Sequence, residues 1–129
     1  MPQAEWQLDG WAATVRLGVL TPAADLGPEA ELNAMVPSTV TVHAARVPFA
    51  AMRPGGDMNK TIAMQAVAAF AEPPGVDSAV QLLAASPLHV IGFGFTSSAY
   101  VSGRGGEAFM LDRLRGHARG IPVVATCTA

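Results

Sequence analysis

Short apolar runs alternate with amphipathic stretches along most of this chain. Four apolar runs rich in β-branched residues predict strands over 15–20, 40–47, 88–96 and 121–126. The stretches between them have helical spacing and predict helices over 28–36, from 57 to the prolines at 73–74, from 76 to about 86, and over 106–119. In the second of these helices Asp57 is expected to be the cap, and the apolar face consists of Met58, Ile62, Ala66 and Phe70.

This order of elements predicts the fold class. Strands that alternate with helices at such spacing imply right-handed βαβ units. We therefore expect an α/β fold with a parallel four-stranded sheet and helices on both faces, as in a flavodoxin-like lobe. The run at 88–96 is almost continuously apolar and is expected to be a central strand. Because no helix follows the last strand, we expect residues 1–129 to be a single lobe, either the first half of a longer enzyme or a chain cut near Ala129.

Composition narrows the class of protein. The 129 residues suffice for one domain, and the net charge of -2 argues against nucleic acid as a partner. No apolar run reaches the roughly 18 to 20 residues of a membrane span, and no signal peptide is recognisable, so we expect a cytoplasmic protein without a membrane partner. Residues 1–13 form a weakly patterned leader that is expected to pack across the domain surface. Cys127 is the only cysteine and the three histidines are not close-spaced, so no metal site is expected.

Three hydroxyl side chains, Thr96, Ser97 and Ser98, follow the third predicted strand, ahead of a glycine-rich loop over 94–106. Ligands of open α/β sheets bind at the carboxyl ends of the strands, so this position is a candidate site. The hydroxyls could donate hydrogen bonds to a carboxylate or a developing enolate, or they could only cap backbone groups. The glycines do not form a dinucleotide fingerprint, and Ser97 lacks the flanking glycines of a serine hydrolase.

Two further polar residues are candidates with two interpretations each. Asp25 lies in the first strand-to-helix loop, where it could reach the same pocket or simply cap the helix. Cys127 follows the last strand and could be a nucleophile, although a small buried side chain is the commoner role of a lone cysteine and is the one we expect.

Two short motifs suggest a family. The segments TPAADLGP at 21–28 and GFTSS at 94–98 resemble the Asp/Glu racemase superfamily, and the chain is most similar to the branch of arylmalonate decarboxylase and maleate cis-trans isomerase. The segments 10–20 and 40–48 also resemble isomerase-type members. The resemblance covers nearly the whole chain but only the first half of a family member. It implies two α/β lobes with the active site between them and no metal or organic cofactor.

The resemblance also assigns roles to residues. Racemases and the isomerase use one cysteine from each lobe, and the first-lobe cysteine falls at Phe95. Decarboxylase-like members also lack that cysteine and use the following Thr and Ser with backbone amides to hold a carboxylate and stabilise an enediolate. The resemblance thus implies Thr96 and Ser97 as catalytic residues, with a thiol of the second lobe, beyond Ala129, as proton donor. The expected substrate-binding residues are Pro22, Ala23, Asp25, Phe95, Ser98 and Tyr100.

Three functions remain open at this point. The leading hypothesis is a cofactor-independent decarboxylase-like lobe that acts on a small (aryl)malonate-type carboxylic acid. The second is a maleate isomerase or racemase relative with altered first-lobe chemistry, but Asp25 replaces the Asn that isomerase-type members often carry, and an ionised Asp repels a substrate carboxylate unless it turns away. The third is a non-catalytic module that binds small carboxylates. We expect the isolated chain to be weak or inactive, and its last strand could support a homo-oligomer.

Overall fold

A computed structural model describes residues 13–127 of this protein. Most of the predicted leader, residues 1–12, therefore lies outside the described residues. The four strands are β1 (Val15–Pro22), β2 (Val40–Val47), β3 (Val90–Phe93) and β4 (Val123–Ala125). The five helices are α1 (Gly27–Met35), α2 (Met64–Ala69), α3 (Gly75–Leu83), α4 (Thr96–Val101) and α5 (Gly103–His117).

The strands form one parallel sheet in the order β2-β1-β3-β4. In register, Leu20 of β1 lies beside Phe93 of β3, and Phe93 lies beside Ala125 of β4. The predicted α/β fold with a parallel four-stranded sheet is confirmed, and so is the interior position of β3. All the strands run in the same direction, so their carboxyl ends and the loops after them share one edge of the sheet.

The region after β3 differs from the prediction. The third strand was expected to continue to Thr96, and a loop was expected over 94–106, but β3 ends at Phe93 and α4 begins at Thr96. The Gly94 N–H still bonds to the Leu20 carbonyl oxygen at 2.8 Å, so the chain leaves the sheet after this residue. The run Thr96-Ser97-Ser98 forms the first turn of α4, and no side-chain hydrogen bond caps this helix.

The helix predicted from Asp57 is also largely wrong. Only Met64–Ala69 is helical, and residues 57–63 are irregular. Gly55 and Gly56 have φ angles of 92° and 87°, which favour glycine, and they turn the chain so that Met52 and Met58 form an isolated antiparallel bridge. This turn uses the backbone groups of Asp57, whose carbonyl accepts a hydrogen bond from Arg53 N at 2.8 Å.

The core lies between the sheet and the helices that pack against it. Leu20, Ile91 and Phe93 from the strands are almost completely buried, together with Val76 and Leu114 from α3 and α5. The aromatic side chains continue the core towards the carboxyl edge of the sheet. Phe70 meets Phe93 edge to face with ring centroids 5.4 Å apart. The floor of that edge is therefore apolar.

Candidate functional site

The loop between β1 and α1 forms one side of the candidate site. The Ala23 N–H bonds to the carbonyl oxygen of Val47 at 2.9 Å, and the Asp25 N–H bonds to that of Pro22 at 3.0 Å. The Asp25 carboxylate accepts a hydrogen bond from the Gly27 N–H at 2.8 Å, which makes an Asx turn at the first residue of α1. Asp25 thus has the structural role that its sequence position permits, and it also borders the cavity described below.

Arg46 at the end of β2 holds this loop in place. Its guanidinium donates to the carbonyl oxygens of Ala23 at 3.3 Å and Asp25 at 3.2 Å, and it pairs with Glu29 of α1 at 3.0 Å. Because an arginine fork has several donors in a fixed plane, one side chain can bind several acceptors of the same loop. The backbone around Asp25 is therefore tied to the neighbouring strand as well as to its own helix.

A cavity of about 420 Å³ opens at this edge of the sheet. Its walls come from the β1–α1 loop, the long connection from β2 to α2, α2 itself and the start of α4. The lining residues are Pro22, Asp25, Phe49, Met52, Met58, Ile62, Met64, Val67, Phe95 and Ser97. The cavity thus brings together Pro22, Asp25, Phe95 and Ser97, which the sequence had placed in one site. The other lining side chains are apolar, and neither a thiol nor a cationic group is among them.

The three hydroxyls of α4 differ in their surroundings. Thr96 is exposed, and its Oγ1 accepts a hydrogen bond from the hydroxyl of Thr126 at 3.0 Å. Ser97 is exposed and faces the cavity. Ser98 is completely buried, and its Oγ has no hydrogen-bond partner. Within residues 13–127, none of these hydroxyls caps a backbone group, so the two exposed ones are available to a ligand.

Phe95 packs into an aromatic cluster below the cavity. Its ring meets Phe49 at a centroid distance of 4.9 Å and Phe70 at 4.7 Å, both edge to face. Edge-to-face pairs add about 0.5 to 1.5 kcal/mol each beyond the burial of area. Phe95 therefore has two roles, since it walls the cavity and anchors α4 to the core.

The structure does not bring every predicted site residue to this cavity. Thr96 is exposed beside Ser97 but is not among the lining residues, and Ser98, expected to bind substrate, is buried in the core instead. Ala23 borders an adjoining groove of about 830 Å³ beside Arg53, which shares Phe49 and Met52 with the cavity. Tyr100 borders a third cavity of about 470 Å³. Cys127 borders that third cavity too and is exposed, so the expectation that it would be buried is wrong. The physical reason is that β4 ends at Ala125, so Cys127 is already clear of the sheet.

Sequence reasoning missed two groups of residues around the site. The side chains of Met52, Met58 and Met64 line the cavity from a connection that was expected to be helical over much of its length. No periodicity could reveal them, because the bend at residues 55–56 brings them together. Thr126, in contrast, directly follows β4. The same rule about strand ends that singled out Thr96 could have found it.

Two kinds of feature are absent from the described residues. Between residues 13 and 127 no group of three or more His, Cys, Asp or Glu side chains is arranged to hold a metal ion. In the same range no helix is long and apolar enough to cross a membrane.

Comparison with known proteins identifies a solved structure with a similar fold. No protein-family model matches the chain, and no curated protein matches it. Among solved structures, the chain is similar to a maleate isomerase from Pseudomonas putida S16 that was crystallised with maleate. The two share 19% sequence identity with a TM-score of 0.66 over 86% of this chain, which spans 44% of the length of that protein. The chain therefore has the α/β fold of one part of a maleate isomerase.

Proposed function

We propose that this chain is one lobe of a cofactor-independent enzyme of the Asp/Glu racemase superfamily, and that it decarboxylates a small malonate-type acid. One observation carries the choice of reaction. The position where the resemblance implies a first-lobe cysteine is Phe95, and the cavity that Phe95 and Ser97 share has no thiol among its lining residues. A reaction that needs two opposed thiols lacks one of them on this side of the cleft.

The proposed reaction needs hydrogen-bond donors and an apolar wall. When the bond between Cα and one carboxylate breaks, CO₂ leaves and the bonding electron pair moves onto the remaining carboxylate, which becomes an enediolate. Donors that point at this group stabilise its growing charge. Ser97 lines the cavity, and Thr96 is the exposed residue next to it at the start of α4, so we assign both hydroxyls this role.

The remaining steps fit the apolar lining of the cavity. Side chains such as Met64, Val67 and Phe95 offer contact to an aryl or alkyl substituent on Cα, and they leave the departing carboxylate poorly solvated. The carbanion then takes a proton at Cα. We propose that the donor is a thiol of a second lobe that closes the cleft over this cavity, as the resemblance implies.

A second candidate, isomerisation or racemisation, is favoured by the structural similarity to a maleate isomerase. Asp25 borders the cavity but does not decide between the two reactions, because a malonate and maleate both carry two carboxylates and would meet the same repulsion. The two reactions differ in their products. Uptake of deuterium at Cα, or cis-trans conversion, without release of CO₂ would favour the second candidate.

Replacement of the two hydroxyls tests the proposal. In the full-length protein, Thr96→Ala and Ser97→Ala should each lower kcat for an arylmalonate about 100- to 1000-fold, the usual effect of a lost oxyanion donor. The matched control is Ser86→Ala, which removes an exposed hydroxyl before β3, at the opposite edge of the sheet. Release of CO₂ is the measurement, with thermal unfolding as a check of folding.

The outcomes separate the three functions. Unchanged decarboxylation in both variants would contradict the assignment of the donors. No CO₂ release by the unaltered protein, together with deuterium exchange, would support isomerase or racemase chemistry instead. Tight carboxylate binding in calorimetry without any turnover would identify a binding module.

A further inference from the structure

Thr126 makes a contact that the proposed chemistry does not yet explain. Its hydroxyl donates to Oγ1 of Thr96 across 3.0 Å, although the two residues are thirty positions apart in sequence. The sheet brings them together, because Phe93 and Ala125 are neighbours in register and the two threonines follow these residues at the carboxyl edge. The bond therefore links the start of α4 to the end of β4.

Either threonine can donate in this pair, and a bound ligand sets the direction of the hydrogen bond. A threonine hydroxyl has one proton to donate and two lone pairs to accept with. A carboxylate only accepts hydrogen bonds, so with one bound at Thr96 the Thr96 hydroxyl donates to it and accepts from Thr126. Among residues 13–127 no other side chain or backbone group bonds to the Thr96 hydroxyl, so it can bind a ligand at the start of α4. A hydroxyl that accepts one bond also becomes a stronger donor in the next.

We propose that Thr126 is a positioning residue that fixes the rotamer of Thr96 and aims its hydroxyl proton at the substrate carboxylate. The catalytic part of this inference rests on the proposed function, whereas the positioning part rests on the contact alone. Thr126 itself is not assigned any contact with substrate. Its effect passes through Thr96.

Two substitutions separate the hydrogen bond from the shape of the side chain. Thr126→Val keeps the β-branched shape and removes the hydroxyl, whereas Thr126→Ser keeps the hydroxyl and removes the methyl group. If the bond positions Thr96, the valine variant should lower kcat about tenfold with little change in KM, since one neutral hydrogen bond is lost. The serine variant should retain most of the activity.

A double-mutant cycle shows whether the effect passes through Thr96. In a Thr96→Ala background, Thr126→Val should cause no further loss of kcat, because the group it positions is already gone. Losses that simply multiply would overturn the inference, since they would show that Thr126 acts independently.

A measurement that does not depend on enzyme activity completes the test. In the full-length protein, three-bond NMR couplings to the Thr96 methyl group report its χ1 rotamer. We expect a single rotamer in the unaltered protein, averaging in Thr126→Val and a single rotamer again in Thr126→Ser. Identical couplings in all three proteins would overturn the inference. A protein with the expected couplings but no activity on carboxylic acids would support the positioning and contradict the proposed function, so the two failures are distinguishable.

Discussion

At the scale of single residues, Gly94 packs closely against β1 just before α4. A Cβ atom at this position would lie 2.7 Å from the Leu20 carbonyl oxygen and 2.8 Å from a methyl group of Val19. The first of these is a backbone atom of the adjacent strand and cannot rotate away. The approach of β3 to β1 just before the start of α4 thus depends on the absence of a side chain.

We predict that Gly94→Ala destabilises the fold by about 1 to 3 kcal/mol, the usual cost of forcing extra atoms into a packed interior. The matched control is Gly116→Ala within α5, where a Cβ meets nothing within 4 Å. That change should stabilise the fold by about 0.5 to 1 kcal/mol, because alanine is the better helix former. Urea unfolding of both variants is the measurement, and equal effects would contradict the close approach at Gly94.

The hydroxyl run shows what the sequence could and could not predict for single residues. The position of Thr96, Ser97 and Ser98 just after a strand was sufficient to identify a candidate site. Their orientation was not, because residues in a helix turn by about 100° each, whereas the prediction had them in a strand end and loop. Once α4 begins at Thr96, Ser98 turns into the core, where it is fully buried.

At the scale of elements, strong apolar runs were predicted well and the connections were not. The bounds of β2 coincide with the prediction, since a β-branched run between turn residues leaves little choice. The spacing of Met58 and Ile62 imitates a helix, but the glycine pair before them reverses the chain, and both side chains are about 40% exposed. Local turn geometry overrides a periodic pattern there.

An ion pair joins helices α3 and α5. Asp77 of α3 is buried and accepts a hydrogen bond from Arg113 of α5 at 2.9 Å. Arg113 also donates to the Ala71 carbonyl oxygen, just after α2. His117 Nε2 lies 3.2 Å from the same Asp77 oxygen. The Asp77–Arg113 pair therefore links α3 and α5 to the chain just after α2, and α2 forms one wall of the cavity.

We predict that Asp77→Asn destabilises the fold by about 3 kcal/mol, because it leaves the largely buried Arg113 without its counter-charge. The control is Asp112→Asn, since Asp112 pairs with Arg115 on the surface with its side chain 79% exposed. That change should cost less than about 0.5 kcal/mol. Guanidinium unfolding separates the two cases, and similar losses would mean that the buried pair contributes no more than a surface pair.

At the scale of the whole molecule, the candidate cavity lies at the carboxyl edge of the described sheet. Cavity-lining residues from the β1–α1 loop, α2 and α4 all face the same side, and the sheet closes the floor. The chain spans 44% of the length of the maleate isomerase that it resembles in structure. Strand β4 forms one edge of the described sheet, and self-association through it stays a prediction.

The proposed division of the chemistry between two lobes leads to a prediction about the 129-residue chain alone. Its hydroxyls can hold a carboxylate, but the proposed proton donor and the second wall would come from elsewhere. General acid–base catalysis contributes about 100- to 10000-fold, so the chain alone should release CO₂ from an arylmalonate at least about 100-fold more slowly than the product of the complete coding sequence.

The control for this comparison is the same chain with Thr96→Ala, because turnover that persists without this hydroxyl measures background. Calorimetry with a small dicarboxylate should still detect weak binding to the unaltered chain and weaker binding to the variant. If the chain alone works at a rate within a few fold of the complete product, the thiol of a second lobe is not the proton donor. In that case Cys127, which is exposed beside the neighbouring cavity, becomes the thiol to replace next.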